Sequence, residues 1–339
     1  MKAIRLTAPR ALDLIEVPPP VPAAEEVLVD VGYVGLCGSD LNAFRGTFPL
    51  MRYPRIIGHE VSGVVAAKGQ HVPDAIQVGD RVVLSPYSEC GVCPACRAGR
   101  TNCCAFNETM GLQRDGALCG QFAIHCSKVF TSRTLTLPEL ALVEPLSVGY
   151  HAANRGRVGE VDTVLVLGCG AIGIGVIAAA ARKGATVIAV DIDDGKLADA
   201  ARFGAHITLN SATQDILATV AELTHGEGVS VAIEAIGLPE TFRMAVDAVS
   251  FAGRVVYVGY AKKDVTFNTT LFVRKELDIL GARNALRVFP AVIKMLEQRE
   301  QPFVEMITRL YPFGETASAL TDWDADPARF TKVMIDVRA

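Results

Sequence analysis

The sequence predicts an α/β chain of two domains, a mainly antiparallel β domain joined to a doubly wound parallel sheet, on three observations. First, the 339 residues are about twice an ordinary domain, enough for two separate cores. Second, from residue 163 onward short β runs alternate with helix-length segments, as parallel strands with helical crossovers require. Third, upstream of about residue 150 the β runs are short and separated by Gly and Pro, the punctuation of antiparallel sheets.

Composition narrows the function classes. Half of the residues are hydrophobic and 21% charged, so a disordered or low-complexity chain is excluded. Lys+Arg 33 against Asp+Glu 37 leaves a net charge of −4, which supplies no overall field for nucleic acid or an anionic membrane. At the N-terminus, Lys2, Arg5, Arg10 and Asp13 interrupt every apolar stretch. No secretory signal can be drawn there, and a cytoplasmic protein is expected.

Taken in order, the first domain contains β runs such as 27–34 and 61–66, preceded by a stiff turn region at Pro18, Pro19, Pro20 and Pro22. The second should contain six strands, at 163–167, 186–190, 206–209, 229–233, 254–258 and 277–280. Helices at 171–182, 194–203 and 239–251 supply crossovers. The stretch 163–181 carries no charge and approaches the length of a membrane span, but Gly168, Gly170, Gly173 and Gly175 divide it into strand, tight turn and helix. After residue 282 an amphipathic helix at 289–298 precedes short mixed elements.

Gly168-x-Gly170-Ala171-Ile172-Gly173 follows a predicted strand and opens a predicted helix. In that context the glycines permit a tight turn and close backbone approach to a pyrophosphate. Asp191 ends the next strand, where a carboxylate can accept from the adenine ribose hydroxyls and repel a 2′-phosphate. NAD is therefore expected over NADP. The alternative is a glycine-rich turn without a ligand, with Asp191 merely solvated.

Five of the nine cysteines, Cys90, Cys93, Cys96, Cys103 and Cys104, fall in one short stretch. In a reduced compartment this CxxCxxC spacing points to metal rather than disulfides, and four thiolates close a tetrahedral structural zinc site. Spacing leaves Cys103 and Cys104 both open as the fourth ligand. A sparser set comprises Cys37 in Cys-Gly-Ser-Asp, the pair His59-Glu60, and Glu144 in Glu-Pro-Leu-Ser. Three such ligands plus one open position would make a Lewis-acid site. Read singly, each has a plainer account: Cys37 as a small buried residue, His59 as a satisfied polar group, Glu60 and Glu144 as surface charges.

In order along nearly the whole chain, Cys37-Gly38-Ser39-Asp40, Gly58-His59-Glu60, Val78-Gly79-Asp80-Arg81-Val82, the cysteine lobe, Glu144-Pro145-Leu146-Ser147-Val148 and the glycine turn resemble the zinc-dependent medium-chain dehydrogenases. The resemblance implies a GroES-like catalytic domain over residues 1–150 and 282–339 and a Rossmann NAD-binding domain over 151–281. It implies two Zn²⁺ per chain, one structural on Cys90, Cys93, Cys96 and Cys104, the other catalytic on Cys37, His59 and Glu144, with Glu60 an alternative or neighbouring ligand. Glu at 144, where alcohol dehydrogenases of the family carry Cys, resembles the polyol branch typified by sorbitol dehydrogenase. The segments 100–104 and Arg283-Asn284-Ala285 look like bacterial enzymes that oxidise sugar acids such as L-galactonate. Arg283 is then a candidate for binding a polyol or carboxylate, and Ser39 for receiving the hydroxyl proton. Asn42 stands where the family carries a proton-relaying His, and Asn cannot titrate.

The reading is thus an NAD- and zinc-dependent dehydrogenase of a small polyol or sugar acid, with no nucleic-acid or membrane partner, assembled by family likeness as a dimer or tetramer. A threonine- or 2,3-butanediol-type dehydrogenase would share every metal and cofactor residue. From a different class, the cysteine lobe with Arg97 and Arg100 could be a zinc-ribbon nucleic-acid module, a reading that the net charge of −4 opposes.

Overall fold

The β-branched runs near the N-terminus form strands in a computed structural model that describes residues 1–339. They are β1 (Lys2–Ala8), β2 (Ala11–Glu16), β3 (Glu26–Leu36), β4 (Arg55–Ile56), β5 (Glu60–Lys68), β6 (Arg81–Leu84), β7 (Gln121–His125) and β8 (Val129–Thr131), interrupted by the short helices α1 (Gly38–Phe44), α2 (Pro94–Arg97) and α3 (Leu137–Ala141). A longer helix, α4 (Val143–Arg155), leads to the alternating part: β9 (Thr163–Leu167), α5 (Ala171–Arg182), β10 (Thr186–Asp191), α6 (Asp194–Arg202), β11 (Ile207–Asn210), α7 (Ile216–Leu223), β12 (Val229–Glu234), α8 (Pro239–Ala248), β13 (Val249–Tyr257), α9 (Thr270–Arg274) and β14 (Asp278–Gly281). The chain ends with α10 (Phe289–Glu297), β15 (Ile307–Pro312), α11 (Thr316–Ala325) and β16 (Lys332–Asp336).

Two units result, Met1–Glu144 together with Phe289–Ala339, and Pro145–Val288. The first changeover falls inside α4, ahead of the expected 150. Gly149 of that helix lies so close to Ile172 and Val176 of α5 that a Cβ would meet their backbone, and this contact ties the helix body to the second unit. The second changeover, between Val288 and Phe289, comes after the expected 282.

In the first unit the long strand β3 pairs antiparallel with β5, with β7 along residues 26–30, and with β16 along residues 33–36. The larger sheet runs β15-β16-β3-β5-β6-β8, and a smaller one runs β2-β1-β4. Val29, Val31, Val34 and Leu36 of β3 share one core with Val333 and Ile335 of β16. The C-terminal segment is therefore an integral part of the N-terminal sheet.

The second unit is a six-stranded, wholly parallel sheet in the order β11-β10-β9-β12-β13-β14. Its order reverses between β9 and β12, the point where a doubly wound sheet opens a crevice at its strand ends. All six expected strands are present. The helix expected over 239–251 stops at Ala248, because β-branched Val249 turns extended and pairs with Val229 of β12. Helix α7, which the sequence pattern did not single out, is capped by Asp215, whose side chain accepts from the Ala218 amide at 3.1 Å.

Candidate functional site

A cluster of buried charge forms where strands of the first unit end. Leu36 closes β3, and Cys37 begins α1, its amide donating to Asp40 Oδ2 at 2.8 Å. Gly58, at φ +98°, lies against Val34 and the Leu118 backbone, and this left-handed turn delivers His59 and Glu60 beside Cys37. One donor atom each from Cys37, His59 and Glu60 lie within 4.8 Å of one another. Asp40, His59, Glu60, Glu144 and Lys332 are all buried. So dense a set of ionisable groups does not arise for packing alone.

Each acid has a distinct partner. Both carboxylate oxygens of Glu60 accept from Lys332 Nζ at 2.7 Å, and the same ammonium donates to the Leu36 carbonyl at 3.2 Å. Gly35, opposite Glu60 on β3, leaves the space that the Glu60 carboxylate occupies. Glu144, in the first turn of α4, accepts through Oε1 from the Tyr87 hydroxyl. Burial pushes the Glu144 carboxyl up to about 7, helped by Glu60 and opposed by His59 and Tyr87. Burial and the neighbouring Glu144 hold the Tyr87 hydroxyl well above its ordinary range, so Tyr87 stays a proton donor. Burial draws His59 down, but Asp40, Cys37 and Glu144 together outweigh it. Lys332 likewise stays charged against the cost of burial, chiefly because of Glu60.

The donor set fits a zinc ion. A thiol, an imidazole and two carboxylates are competent ligands. His59 Nδ1 and Asp40 Oδ1 are buried without a hydrogen-bond partner, and Nδ1 stands 3.7 Å from Asp40 Oδ2. That is the arrangement in which a carboxylate orients a metal-binding histidine from behind. The tight group contains Glu60 and not Glu144. Of the expected site residues, Ser39 is half-buried in the first turn of α1, while Arg283 is exposed in the chain after β14 on the second unit.

The four-cysteine group lies in the lobe around α2. Sulfurs of Cys90, Cys93, Cys96 and Cys104 cluster, and Cys103 is outside the group. Cys93 Sγ and Cys104 Sγ are 4.0 Å apart. A tetrahedron with 2.3 Å zinc–sulfur bonds has edges of about 3.8 Å. Backbone amides of Cys90 and Phe106 donate to Cys104 Sγ, and that of Cys93 to Cys90 Sγ, each at 3.3 Å. Amide bonds from Ala105 and Cys96 lower the Cys93 thiol to about 6, whereas burial raises Cys96 to about 12. Four adjacent thiols cannot all ionise without a cation among them.

On the second unit, Gly168 follows β9 at φ +99°, and a Cβ on Gly173 would collide with the Gly168 carbonyl. Gly170 caps α5 without a side chain, and nothing crowds the position of its missing Cβ. The first amides of the helix, from Ala171, Ile172 and Gly173, therefore lie at the end of a helix dipole, as an anionic diphosphate requires. Asp191 ends β10; its Oδ2 accepts from the Cys169 amide at 2.8 Å, and its Oδ1 from Ile192 at 2.8 Å and Asp193 at 3.2 Å. Glu234 ends β12, fully buried, and fixes the next turn by accepting from Ile236, Gly237 and Thr241.

Sequence reasoning did not find Lys332, Tyr87 or Glu234. Lys332 reads as an ordinary lysine before a C-terminal strand, and only pairing of β16 with β3 carries it to Glu60, 272 positions away.

Comparison with known proteins covers both units. Residues 23–134 match the alcohol dehydrogenase GroES-like domain, and residues 171–298 match the zinc-binding dehydrogenase family. The chain is 33% identical to sorbitol dehydrogenase of Bacillus subtilis over 94% of its own length and 92% of the relative's. It is 30% identical to L-galactonate-5-dehydrogenase of Escherichia coli over 88% of each. Among solved structures, the alcohol dehydrogenase RspB of Escherichia coli CFT073 complexed with NADH superposes with a TM-score of 0.92 at 30% identity, covering 99% of both chains. A zinc-binding dehydrogenase of Sinorhizobium meliloti bound to NADP gives 0.90 at 29% identity, covering 99% of this chain and 98% of the other.

Proposed function

From the premise that the chain belongs to the zinc-type medium-chain alcohol dehydrogenase family, with a GroES-like domain, a Rossmann-type sheet and NAD(P) as the family's cofactor, we propose that it oxidises a secondary hydroxyl of a polyol or sugar acid with NAD. The observation that carries the reading is the group of half-buried Cys37 with buried His59 and Glu60, together with a buried carboxylate at 144 in the same unit in place of the thiolate that ethanol-type members carry. Relatives named for sorbitol and L-galactonate support the substrate class.

In this reading Cys37, His59 and Glu144, with Glu60 as an alternative or neighbouring ligand, would hold a zinc ion, which would supply Lewis acidity toward a substrate hydroxyl. Cys90, Cys93, Cys96 and Cys104 would hold a second zinc, which would order the lobe. The chain's own groups do the rest. Asp40 orients His59 from behind; Tyr87 fixes the Glu144 carboxylate. Ser39 receives the hydroxyl proton, and with Asn42 in the relay position that proton leaves through water or another residue rather than through an imidazole at 42. Gly168, Gly170, Ala171, Ile172 and Gly173 receive the diphosphate. Asp191 accepts from the ribose hydroxyls, its carboxylate already oriented by three amides. Arg283 is assigned to a hydroxyl or carboxylate of the substrate. All nine cysteines are unpaired, which suits a reducing cytoplasm; no helix is long and apolar enough to cross a membrane. By family likeness the enzyme is a dimer or tetramer.

The test is a panel of hexitols, aldonates and small diols with NAD and with NADP, read as nicotinamide reduction. Turnover of a polyol or aldonate with NAD, at least tenfold faster than with NADP, is expected. Asp191→Ala should narrow that ratio. Activity confined to primary alcohols would overturn the substrate class, and an unchanged ratio in Asp191→Ala would remove that residue from cofactor choice.

A further inference from the structure

Among the buried acids, Glu234 belongs to neither cysteine site and not to the glycine turn. It ends β12 and is fully buried. Its two oxygens are treated unequally. Oε1 accepts from the Ile236 amide at 2.8 Å, the Gly237 amide at 2.7 Å and the Thr241 hydroxyl at 2.8 Å, whereas Oε2 is buried with no hydrogen-bond partner, and no Lys or Arg pairs with the carboxylate. We propose that Glu234 is a fixed negative charge under the nicotinamide half of the cofactor crevice, which favours binding of the oxidised dinucleotide over the reduced one. The inference rests on the cofactor placement in the proposed dehydrogenase and adds to it a residue that selects the redox form.

The order of the sheet gives the location. A dinucleotide crosses a doubly wound sheet outside the C-terminal ends of its strands, at the switch point, which here falls between β9 and β12. Asp191 at the end of β10 marks the adenosine side and the Gly168 turn after β9 the diphosphate. The end of β12, across the switch, therefore underlies the nicotinamide half. The turn that Glu234 holds is built against the diphosphate turn: the Ala235 amide donates to the Leu167 carbonyl at 2.9 Å, and a Cβ on Gly168 would stand 2.7 Å from Ile236 Cγ1. All these residues belong to the second unit.

Holding the turn does not require a charge. Glutamine offers Ile236, Gly237 and Thr241 the same acceptor without the cost of burying an ion. A protonated carboxyl fits worse, because a hydroxyl at Oε2 would face no acceptor. A buried carboxylate with one unsatisfied oxygen and no counter-ion gains most from a cation that a ligand brings. Gly259 after β13 preserves that oxygen's place, since a Cβ there would stand 2.5 Å from Oε2. The nicotinamide ring is cationic in NAD and neutral in NADH, so the charge of Glu234 separates the two forms while their shared parts bind alike.

The experiment uses the whole zinc-loaded protein and reads dissociation constants, NADH by its fluorescence and NAD by competition with NADH. Glu234→Gln keeps the acceptor for the turn and removes the charge. It should weaken NAD by about tenfold, the order of a unit-charge attraction across ~10 Å of protein, and change NADH by less than about twofold. Equal weakening of both forms would make Glu234 a support of the turn alone, and no weakening of either would make its charge inert; each result overturns the proposal. Should Glu234→Gln not fold, the wild-type protein carries the test with benzamide adenine dinucleotide, which has the outline of NAD without the charge on the ring. NAD should bind at least about fivefold more tightly than this analogue, and an analogue that binds as tightly as NAD overturns the proposal. A wild-type protein that binds neither NADH nor NADPH would instead remove the cofactor reading, and this inference with it.

Discussion

At the scale of single residues, the buried cluster around His59 and Glu60 depends on an absent atom as much as on the side chains present. Gly35 and Gly63 both sit on the β3–β5 pair where a Cβ would overlap something, but Gly35 would strike the Glu60 carboxylate and Gly63 the Asp30 carbonyl and the Val29 side chain. Both substitutions to Ala overpack the sheet, and each should cost about 1–3 kcal/mol, read as a fall in the urea midpoint. Only Gly35→Ala should also displace Glu60 from Lys332, and separating a buried ion pair adds to the loss. The two variants should therefore have comparable midpoints if packing alone matters, and Gly35→Ala a lower one, with weaker metal binding, if the ion pair does. Equal metal affinity in the two proteins would detach Gly35 from the site.

At the scale of elements, the lobe around α2 is the part with least packing of its own. Its buried cluster consists of Cys93, Cys96 and Cys104, with Cys90 and Ala95 against them, while Val92 and Phe106 lie mostly exposed. With so little apolar burial, order would come from the ion proposed for the four thiols. Chelation, or Cys93→Ser, should therefore raise amide hydrogen exchange across residues 90–104 by at least tenfold and leave the amides of β9 and β12 unchanged. Unaltered protection in the lobe after zinc is removed would show that the loop orders itself. Elements of this kind were legible in the sequence because their chemistry is local: the cysteine spacing, the glycine turn before α5, and Asp191 at the end of β10 each occupy a few consecutive positions. The strands of the parallel sheet were legible from their β-branched runs, but the end of α8 was not, since Val249–Phe251 is apolar enough to continue a helix until pairing with β12 claims it. Lys332 and Tyr87 escaped for the opposite reason. Neither carries a local signal, and each acquires its role only from an acid that the fold brings from elsewhere in the chain.

At the scale of the whole molecule, the two units differ in how the chain builds them. The second is continuous, with its own parallel sheet and a core of residues between Leu165 and Val255. The first is closed by the C-terminus: β16 sits between β15 and β3, and Phe313, Leu320, Phe330, Val333 and Ile335 belong to the same core as Val29 and Val34. Each such side chain contributes about 1.5–3 kcal/mol on burial, and Glu60 without Lys332 would be a buried unpaired charge costing about 3–5 kcal/mol more. Together those losses, about 10–20 kcal/mol, are as large as the roughly 5–15 kcal/mol by which a domain is stable. A fragment of residues 143–288 should thus melt cooperatively by circular dichroism and retain NADH binding by fluorescence, whereas residues 1–144 alone should show no cooperative transition. Cooperative melting of 1–144 would mean that the C-terminal strand decorates the sheet instead of completing it. In that case Lys332 could not be part of what holds the buried cluster around Glu60 together, because the cluster's surroundings would form without it.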